Sequence, residues 1–201
     1  MEELIRLKRK KTGDENFNYS YPEYINDLSK THWTPIDIAK IAIDWLVSNS
    51  ESGVKVLDIG AGVGKFCLTG GLVSKALFTG VEKRKNLFNE ANIILDKLSI
   101  DNVEFIHANI TEIDFKNYNA FYYYNPFGEQ IAVSDWIDKE VPFSEDKLNY
   151  YEEFVFNQLD EMPENTRVVT YYSEKFHLPK SYKIKNMMFD GELVLWEKIN
   201  S

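Results

Sequence analysis

The chain has 201 residues, of which 44% are apolar and 27% are charged, and these proportions exclude a generally disordered protein. Its 23 lysines and arginines are outnumbered by 32 acidic residues, and the resulting net charge of −9 argues against extensive non-specific binding to nucleic acid. The single cysteine, Cys67, excludes an internal disulfide and any multi-cysteine metal site.

The N-terminal region predicts an extension ahead of one folded domain. Residues 1–11 lack the apolar centre of a signal peptide, and no apolar run reaches the roughly 18 residues that a membrane-spanning helix needs. We therefore expect a cytoplasmic protein with no membrane partner. Residues 1–12 carry five basic and two acidic side chains, which indicates a solvated segment more than an arm that contacts nucleic acid. The predicted division is a partly irregular extension, residues 1–33, and a domain, residues 34–201.

Strands and helices are predicted to alternate along that domain. Thr34 should cap a first helix that Pro35 begins. Later helices are predicted at residues 65–72, at 84–98, and after Ser144, where Leu148, Tyr151, Val155 and Leu159 share one face. Strands are predicted at 54–59, 76–81, 103–107, 120–124, 167–172, 182–189 and 193–199. This order predicts an α/β fold, a three-layer sandwich around a mostly parallel seven-stranded sheet with a C-terminal antiparallel β-hairpin.

A glycine-rich turn follows the first strand, where residues 58–64 have the sequence Asp-Ile-Gly-Ala-Gly-Val-Gly. Glycines at such a turn let a ligand approach the backbone closely. Phe66 stands where a phosphate-binding P-loop needs Ser or Thr, and Lys65 stands where a dinucleotide-binding motif needs its last glycine. Asp58 would repel a pyrophosphate but attract an ammonium group. The turn therefore favours a ligand with a cationic end and no phosphate at this point.

A second acid, Glu82, follows the second predicted strand. An ionised carboxylate is an acceptor only, so Glu82 can accept hydrogen bonds from both hydroxyls of a ribose. Asp58 and Glu82 together favour a ligand with an amino acid at one end and a ribose in its middle.

These motifs resemble those of the class I, Rossmann-like, S-adenosylmethionine-dependent methyltransferases. The resemblance spans residues 34–199 and depends on residues 56–64, 80–83, 109 and 125–127. It implies that S-adenosyl-L-methionine is the cofactor, that the three glycines line its methionine part and that Glu82 holds its ribose. Asn109 stands where the family usually has an aspartate near the adenine amino group. The implied cofactor-binding residues are Asp58, Gly60, Ala61, Gly62, Gly64, Glu82, Lys83, Asn109 and Ile110.

The loop after the fourth strand, Asn125-Pro126-Phe127, resembles a shortened (Asp/Asn)-Pro-Pro-aromatic loop of amino-methylating family members. In those proteins, the first side chain and a proline carbonyl accept hydrogen bonds from the target nitrogen, and the aromatic ring stacks on its plane. The resemblance implies that Asn125, Pro126 and Phe127 are catalytic, in methyl transfer to a nitrogen of a protein side chain, a nucleobase or a small molecule. A plain Asn-Pro turn is the alternative for the loop. A non-catalytic methyltransferase-like scaffold is the alternative for the protein.

The remaining candidates are weaker. His32, His107 and His177 share no metal-ligand spacing, so we predict no metal site. Trp33 is a candidate cover for the cofactor, although its place beside a helix cap explains it equally well. Trp136 and Phe143 lie in the long connection 129–147 and are candidates for a substrate lid. The sequence identifies neither the methyl acceptor nor the oligomeric state.

Overall fold

The computed structural model describes residues 21, 33–48, 53–127, 144–173 and 176–200, and all structural statements below concern these residues. The basic first twelve residues, His32 and the candidate lid residues Trp136 and Phe143 lie outside them.

Helices and strands alternate along the described chain, as the sequence predicts. The α-helices are α1 (Ile36–Val47), α2 (Lys65–Val73), α3 (Lys85–Leu98) and α4 (Glu145–Asp160). The strands are β1 (Lys55–Ile59), β2 (Leu77–Glu82), β3 (Val103–His107), β4 (Ala120–Tyr124), β5 (Arg167–Tyr171), β6 (Tyr182–Met188) and β7 (Leu193–Lys198). None of the helices in the described ranges combines the length and the apolar character needed to span a membrane.

The strands form one sheet in the order β3-β2-β1-β4-β5-β7-β6. Strands β1 to β5 are parallel, whereas β7 pairs antiparallel with both β5 and β6. The predicted mostly parallel, seven-stranded sheet with a C-terminal antiparallel hairpin is therefore confirmed. The chain moves outward from β1 to β3 and then crosses back to place β4 on the other side of β1. In open α/β sheets, ligands bind where the strand order reverses in this way, at the carboxyl ends of the strands.

Both faces of the sheet are covered, which explains why its central strands β1, β4 and β5 are buried along almost their whole length. On one face, Val56 and Tyr122 pack into a core with α1, α2 and α3. On the other face, Leu57 and Tyr123 pack against α4 and the short 3-10 helices Ile110–Glu112 and Phe115–Asn117. The result is a three-layer sandwich whose carboxyl edge carries the loops described next.

The predicted helix caps have different outcomes. The side chain of Ser144 accepts a hydrogen bond from the backbone N–H of Lys147 and caps α4, as expected. The expectation that Thr34 caps α1 is wrong, because Pro35 occupies the cap position and no cap hydrogen bond from a described side chain is present there. The Thr34 hydroxyl instead lies 2.8 Å from the hydroxyl of buried Tyr122. A buried hydroxyl needs a partner, and this requirement outweighs the local capping preference.

Candidate active site

The glycine turn lies between β1 and α2 and is fixed to the neighbouring strand. The backbone N–H of Ala61 donates to the carbonyl of Val81 at 2.9 Å, and that of Gly64 donates to the carbonyl of Ala61 at 2.8 Å. Gly60, Gly62 and Gly64 have φ angles of 77°, 56° and 79°. Glycine is the residue that adopts such left-handed angles without steric cost, so the turn needs glycine on backbone grounds alone.

The surroundings of the three glycines differ. A Cβ atom on Gly60 would lie 2.5 Å from Cβ of Pro126, and one on Gly64 would lie 2.2 Å from the ring of Phe105. A Cβ atom on Gly62 would meet nothing within 4 Å. Gly60 therefore allows the loop after β4 to approach, Gly64 allows β3 to pack against the turn, and Gly62 faces open space that a ligand can occupy.

Glu82 ends β2 directly beside this turn, and its side chain is only 4% exposed. Its Oε2 accepts a hydrogen bond from the backbone N–H of Gly62 at 2.9 Å, and its Oε1 accepts one from that of Arg84 at 2.7 Å. The Arg84 guanidinium lies 3.6 Å from Oε1. The carboxylate is thus held in one orientation, and each of its oxygens retains a lone pair for a further donor.

Asn109 and Lys83 meet at Tyr151, a residue of α4. The amide nitrogen of Asn109 donates to the Tyr151 hydroxyl at 3.1 Å, while its Oδ1 accepts from the backbone N–H of Thr111. Lys83 Nζ also donates to the Tyr151 hydroxyl, at 3.3 Å. Burial would raise the pKa of Tyr151, but these two hydrogen bonds and the charge of Lys83 outweigh it and lower that pKa. Because two donors already point at its oxygen, the Tyr151 hydroxyl has its own hydrogen left to donate.

Sequence analysis missed Tyr151 as a site residue because helical spacing assigned it to a core face. No local signal could have revealed it, because its contact with Asn109 joins residues 42 positions apart.

These residues line one pocket at the carboxyl edge of the sheet. Seven of the predicted site residues border it, together with Tyr151: Gly60, Glu82, Lys83, Asn109, Ile110, Pro126 and Phe127. Asp58, Ala61, Gly62, Gly64 and Asn125 lie on neighbouring positions of the same edge but do not border it. The structure therefore brings the predicted residues together, and their individual roles stay predictions.

Asp58 lies beneath the glycine turn and is 4% exposed. The thiol of Cys67 donates to its Oδ2 at 3.5 Å. Burial raises the pKa of Asp58 to about 7, and burial also raises the pKa of the Cys67 thiol well above its usual value. A cation bound at the turn would favour the ionised form of Asp58, so its predicted attraction for an ammonium group depends on pH.

Asn125 and Pro126 lie between the glycine turn and β5. The backbone N–H of Asn125 donates to the hydroxyl of Ser173 at 3.1 Å, and its φ of 35° lies in the left-handed region, which Asn tolerates better than most residues. Its side chain is exposed and makes no hydrogen bond to the described residues. The Phe127 ring turns toward the pocket, where it stacks on Tyr151 with centroids 5.1 Å apart.

Trp33 lies beside the start of α2, next to the glycine turn. Lys65 Nζ is 5.7 Å from the centre of the Trp33 ring, and the ring of Tyr21 is 4.8 Å from it. The Tyr21 hydroxyl donates to the carbonyl of Val63 within the turn. This position is compatible with the proposed cover over the cofactor, which stays a prediction.

Two outcomes concern metal binding. Within the described ranges, no three His, Cys, Asp or Glu side chains converge where they could hold a metal ion, and the absence of a metal stays a prediction. His107 instead lies with Nε2 3.0 Å from the carbonyl of Lys83, so it supports the loop after β2.

Comparisons with known proteins connect this geometry to a family. A family model described as a methyltransferase domain matches residues 50–162, more than half of the chain. No significant match is found among curated protein sequences. One similar solved structure is yhhF from Escherichia coli, provisionally described as a methyltransferase. It has a TM-score of 0.58 and 14% identity over 82% of this chain and 87% of its own.

Two further similar structures are methylases of RNA. An RNA methyltransferase from Salinibacter ruber, in complex with S-adenosyl-L-homocysteine, has a TM-score of 0.56 and 16% identity over 83% of this chain and 92% of its own. An rRNA methylase from Streptococcus thermophilus has a TM-score of 0.54 and 14% identity over 80% of this chain and 95% of its own. At such low identity the likeness establishes the fold and leaves the substrate open.

The family match includes the glycine turn, Glu82, Asn109 and the Asn125 loop, which are the residues that the fold brings to one edge. The chain therefore belongs to the methyltransferase-domain family, within the class I enzymes whose cofactor is S-adenosylmethionine.

Proposed function

We propose that this protein binds S-adenosylmethionine in the pocket between the glycine turn and Tyr151 and transfers the methyl group to a nitrogen. The observation that carries the proposal is the contact of Pro126 with Gly60, since it places Asn125 at the carboxyl edge between the pocket and β5. We therefore expect the methyl acceptor to bind over the carboxyl ends of β4 and β5.

The residues present fit the cofactor. Glu82 has lone pairs available for ribose hydroxyls, and the open space at Gly62 leaves room for a ligand against the backbone. Ile110 and Phe127 give the pocket apolar walls, which suit the flat faces of an adenine ring. The free hydrogen of the Tyr151 hydroxyl supplies a donor in the same pocket.

The loop after β4 supplies the chemistry that a nitrogen acceptor needs. S-adenosylmethionine, when bound, supplies a methyl group on a positively charged sulfur. The exposed side chain of Asn125 can accept a hydrogen bond from the acceptor nitrogen, and the Pro126 carbonyl can accept a second. These hydrogen-bond acceptors increase the electron density on the target nitrogen and hold it in line with the bond between the methyl carbon and sulfur. Positioning of this kind lowers reaction barriers by roughly 7–11 kcal/mol in favourable cases.

The test combines binding with transfer. Calorimetric titration with S-adenosylhomocysteine should show one binding site, and radiolabelled S-adenosylmethionine should label a nitrogen in a protein, RNA or metabolite pool, identified by mass spectrometry. Asn125→Ala should leave the affinity for S-adenosylhomocysteine within twofold and reduce transfer about 10- to 100-fold. Asn186→Ala, on the edge strand β6, is the matched control and should change neither quantity.

Three results would contradict the proposal in whole or in part. Failure of the wild-type protein to bind S-adenosylhomocysteine would remove the cofactor assignment. Binding without transfer to any pool would instead support the non-catalytic scaffold. Labelling of carbon or oxygen would keep the methyltransferase and exclude the nitrogen acceptor.

A further inference from the structure

A surface of three tyrosines extends the site beyond the cofactor pocket. This tyrosine patch consists of Tyr124 at the end of β4 and Tyr171 and Tyr172 at the end of β5. The ring of Tyr171 has its centroid 4.8 Å from that of Tyr124 and 4.7 Å from that of Tyr172. Tyr171 is 5% exposed, whereas Tyr172 is 48% exposed and can contact a ligand.

The tyrosine patch is joined to the proposed acceptor loop. The hydroxyl of Ser173 accepts from the backbone N–H of Asn125 and donates to the carbonyl of Tyr171 at 2.7 Å. Asn125 and Tyr172 both have left-handed backbone angles, with φ of 35° and 45°. Asn tolerates such an angle better than most residues do, whereas a tyrosine there is strained, and strained backbone positions cluster at functional sites. The exposed ring of Tyr172 thus belongs to a segment that is hydrogen-bonded to the backbone of Asn125.

The charge that acts on the tyrosine patch is negative. The Tyr172 hydroxyl donates to the Glu192 carboxylate, which raises the pKa of Tyr172, and the backbone N–H of Tyr172 donates to the Glu192 carbonyl. Burial, followed by the neighbouring Tyr172 and Glu192, raises the pKa of Tyr124 to about 12. Among the described residues, no lysine or arginine acts on any of the three hydroxyls.

We infer that the tyrosine patch and Glu192 bind the methyl acceptor, and that this acceptor is an amine that carries a positive charge in solution. Aromatic faces attract cations, and a partly buried carboxylate beside them adds to that attraction. A lysine side chain of a protein and a free polyamine share this chemistry. A phosphate-bearing acceptor would be repelled by Glu192 and by the net charge of −9. The inference rests on the proposed function, because it names the acceptor of that reaction.

The transfer balances for such an amine. The bound ammonium group first loses one proton to water, which gives its nitrogen a free electron pair. That pair forms the new N–CH₃ bond while the bond between the methyl carbon and sulfur breaks and its electrons stay on sulfur. The positive charge therefore moves from sulfur to nitrogen.

Butylamine is the simplest probe of this inference, and butan-1-ol is its uncharged counterpart. Both are titrated into the protein saturated with S-adenosylhomocysteine, and the NMR signals of isotope-labelled tyrosine rings are followed. We expect the Tyr172 signals to shift with butylamine at about tenfold lower concentration than with butan-1-ol. Glu192→Gln should remove about this tenfold difference. Glu164→Gln, an exposed acid before the opposite end of β5, makes the same charge change and should preserve it.

Variants at the ring separate recognition from folding. Both variants lose the Tyr172 signal, so the labelled rings of Tyr124 and Tyr171 report binding in them. Tyr172→Ala should abolish the response of these rings to butylamine, whereas Tyr172→Phe keeps the aromatic ring and should retain most of it. All variants should bind S-adenosylhomocysteine within twofold of the wild type, which shows that they are folded. Equal affinity for butylamine and butan-1-ol, or unchanged butylamine binding in Glu192→Gln, would overturn the inference.

Transfer assays then distinguish the two sources of the amine, a protein lysine and a free polyamine, and test RNA as the competing class of acceptor. Labelled methyl groups should appear on a lysine-rich peptide or on a free diamine, and the preferred one of the two names the source. Methylation of RNA, together with tighter binding of adenosine monophosphate than of butylamine at Tyr172, would overturn the cationic acceptor while leaving the nitrogen methyltransferase intact. Failure to bind S-adenosylhomocysteine would instead contradict the proposed function, because the butylamine titration can be run without it.

Discussion

Alanine substitution of two glycines in the same turn should have different consequences. Gly60 and Gly62 have similar positive φ angles, 77° and 56°, so each alanine variant incurs a similar backbone strain. That strain costs roughly 1–2 kcal/mol for a residue with a Cβ atom. The new methyl group of Gly60→Ala would additionally lie 2.5 Å from Cβ of Pro126, whereas that of Gly62→Ala would lie in open space.

The two variants should therefore separate stability from binding. Overpacking costs about 1–3 kcal/mol, so Gly60→Ala should lower the free energy of unfolding by about 2–5 kcal/mol, against about 1–2 kcal/mol for Gly62→Ala. The methyl group of Gly62→Ala would occupy the space proposed for the cofactor. We expect this variant to bind S-adenosylhomocysteine at least tenfold more weakly than the wild type.

Urea unfolding without ligand measures the first quantity, and calorimetric titration with S-adenosylhomocysteine measures the second. Equal destabilisation by the two substitutions would show that Pro126 does not constrain Gly60. It would therefore contradict the close packing of the loop after β4 against the glycine turn. Wild-type affinity in Gly62→Ala would show that the open space at this glycine is not used by the ligand.

Three other substitutions test buried charges. Burial raises the pKa of Asp58 from 3.8 to about 7, so the folded protein holds a proton that the unfolded chain has lost. Stability should therefore fall as pH rises from about 4 to 7, by on the order of 3–4 kcal/mol, and Asp58→Asn should abolish this fall in urea unfolding at pH 5 and 8. Glu82→Gln should lower the free energy of unfolding by about 2 kcal/mol, because it weakens two buried hydrogen bonds. Calorimetry should also show at least tenfold weaker binding of S-adenosylhomocysteine. An unchanged affinity would show that Glu82 does not bind the ribose. Arg167→Met should cost about 3 kcal/mol in thermal or urea unfolding, because Arg167 is buried and bonded to the Trp45 carbonyl and to Glu197. Lys116→Met, which breaks an exposed ion pair, is its control and should leave the unfolding transition almost unchanged.

The elements that the sequence predicts well are those set by local pattern. The run Val56-Leu57-Asp58-Ile59 before the glycines predicts a buried strand, and the structure has β1 there, buried on both faces. The glycine turn and Glu82 were assigned to one ligand from their chemistry, and the structure joins them by the hydrogen bond from Gly62 to Glu82. Local sequence suffices here because turn geometry and strand ends depend on neighbouring residues.

Features that depend on distant parts of the chain could not be predicted. Tyr151 has the spacing of a core residue in its helix, and its contact with Asn109 joins residues 42 positions apart. Thr34 has the local signature of a helix cap, yet its hydroxyl lies against that of Tyr122, 88 positions away. In both cases a buried or half-buried hydroxyl forms a hydrogen bond with a residue that only the tertiary fold brings near it. No short-range sequence pattern predicts that partner.

The order of the strands divides the carboxyl edge into two parts, for which we propose different tasks. Strands β1, β2 and β3 supply the glycine turn, Glu82 and Asn109, whereas β4 and β5 supply Asn125 and the tyrosine patch. Pro126 joins the two parts at this edge, because it lies against Gly60 and follows Asn125 in the chain. Substitutions on the β5 side should accordingly change the Michaelis constant for the acceptor while leaving the affinity for S-adenosylhomocysteine intact. The contact at Pro126 joins the proposed cofactor pocket to the proposed acceptor surface, so a change of acceptor made through β5 alone should leave the cofactor pocket unchanged.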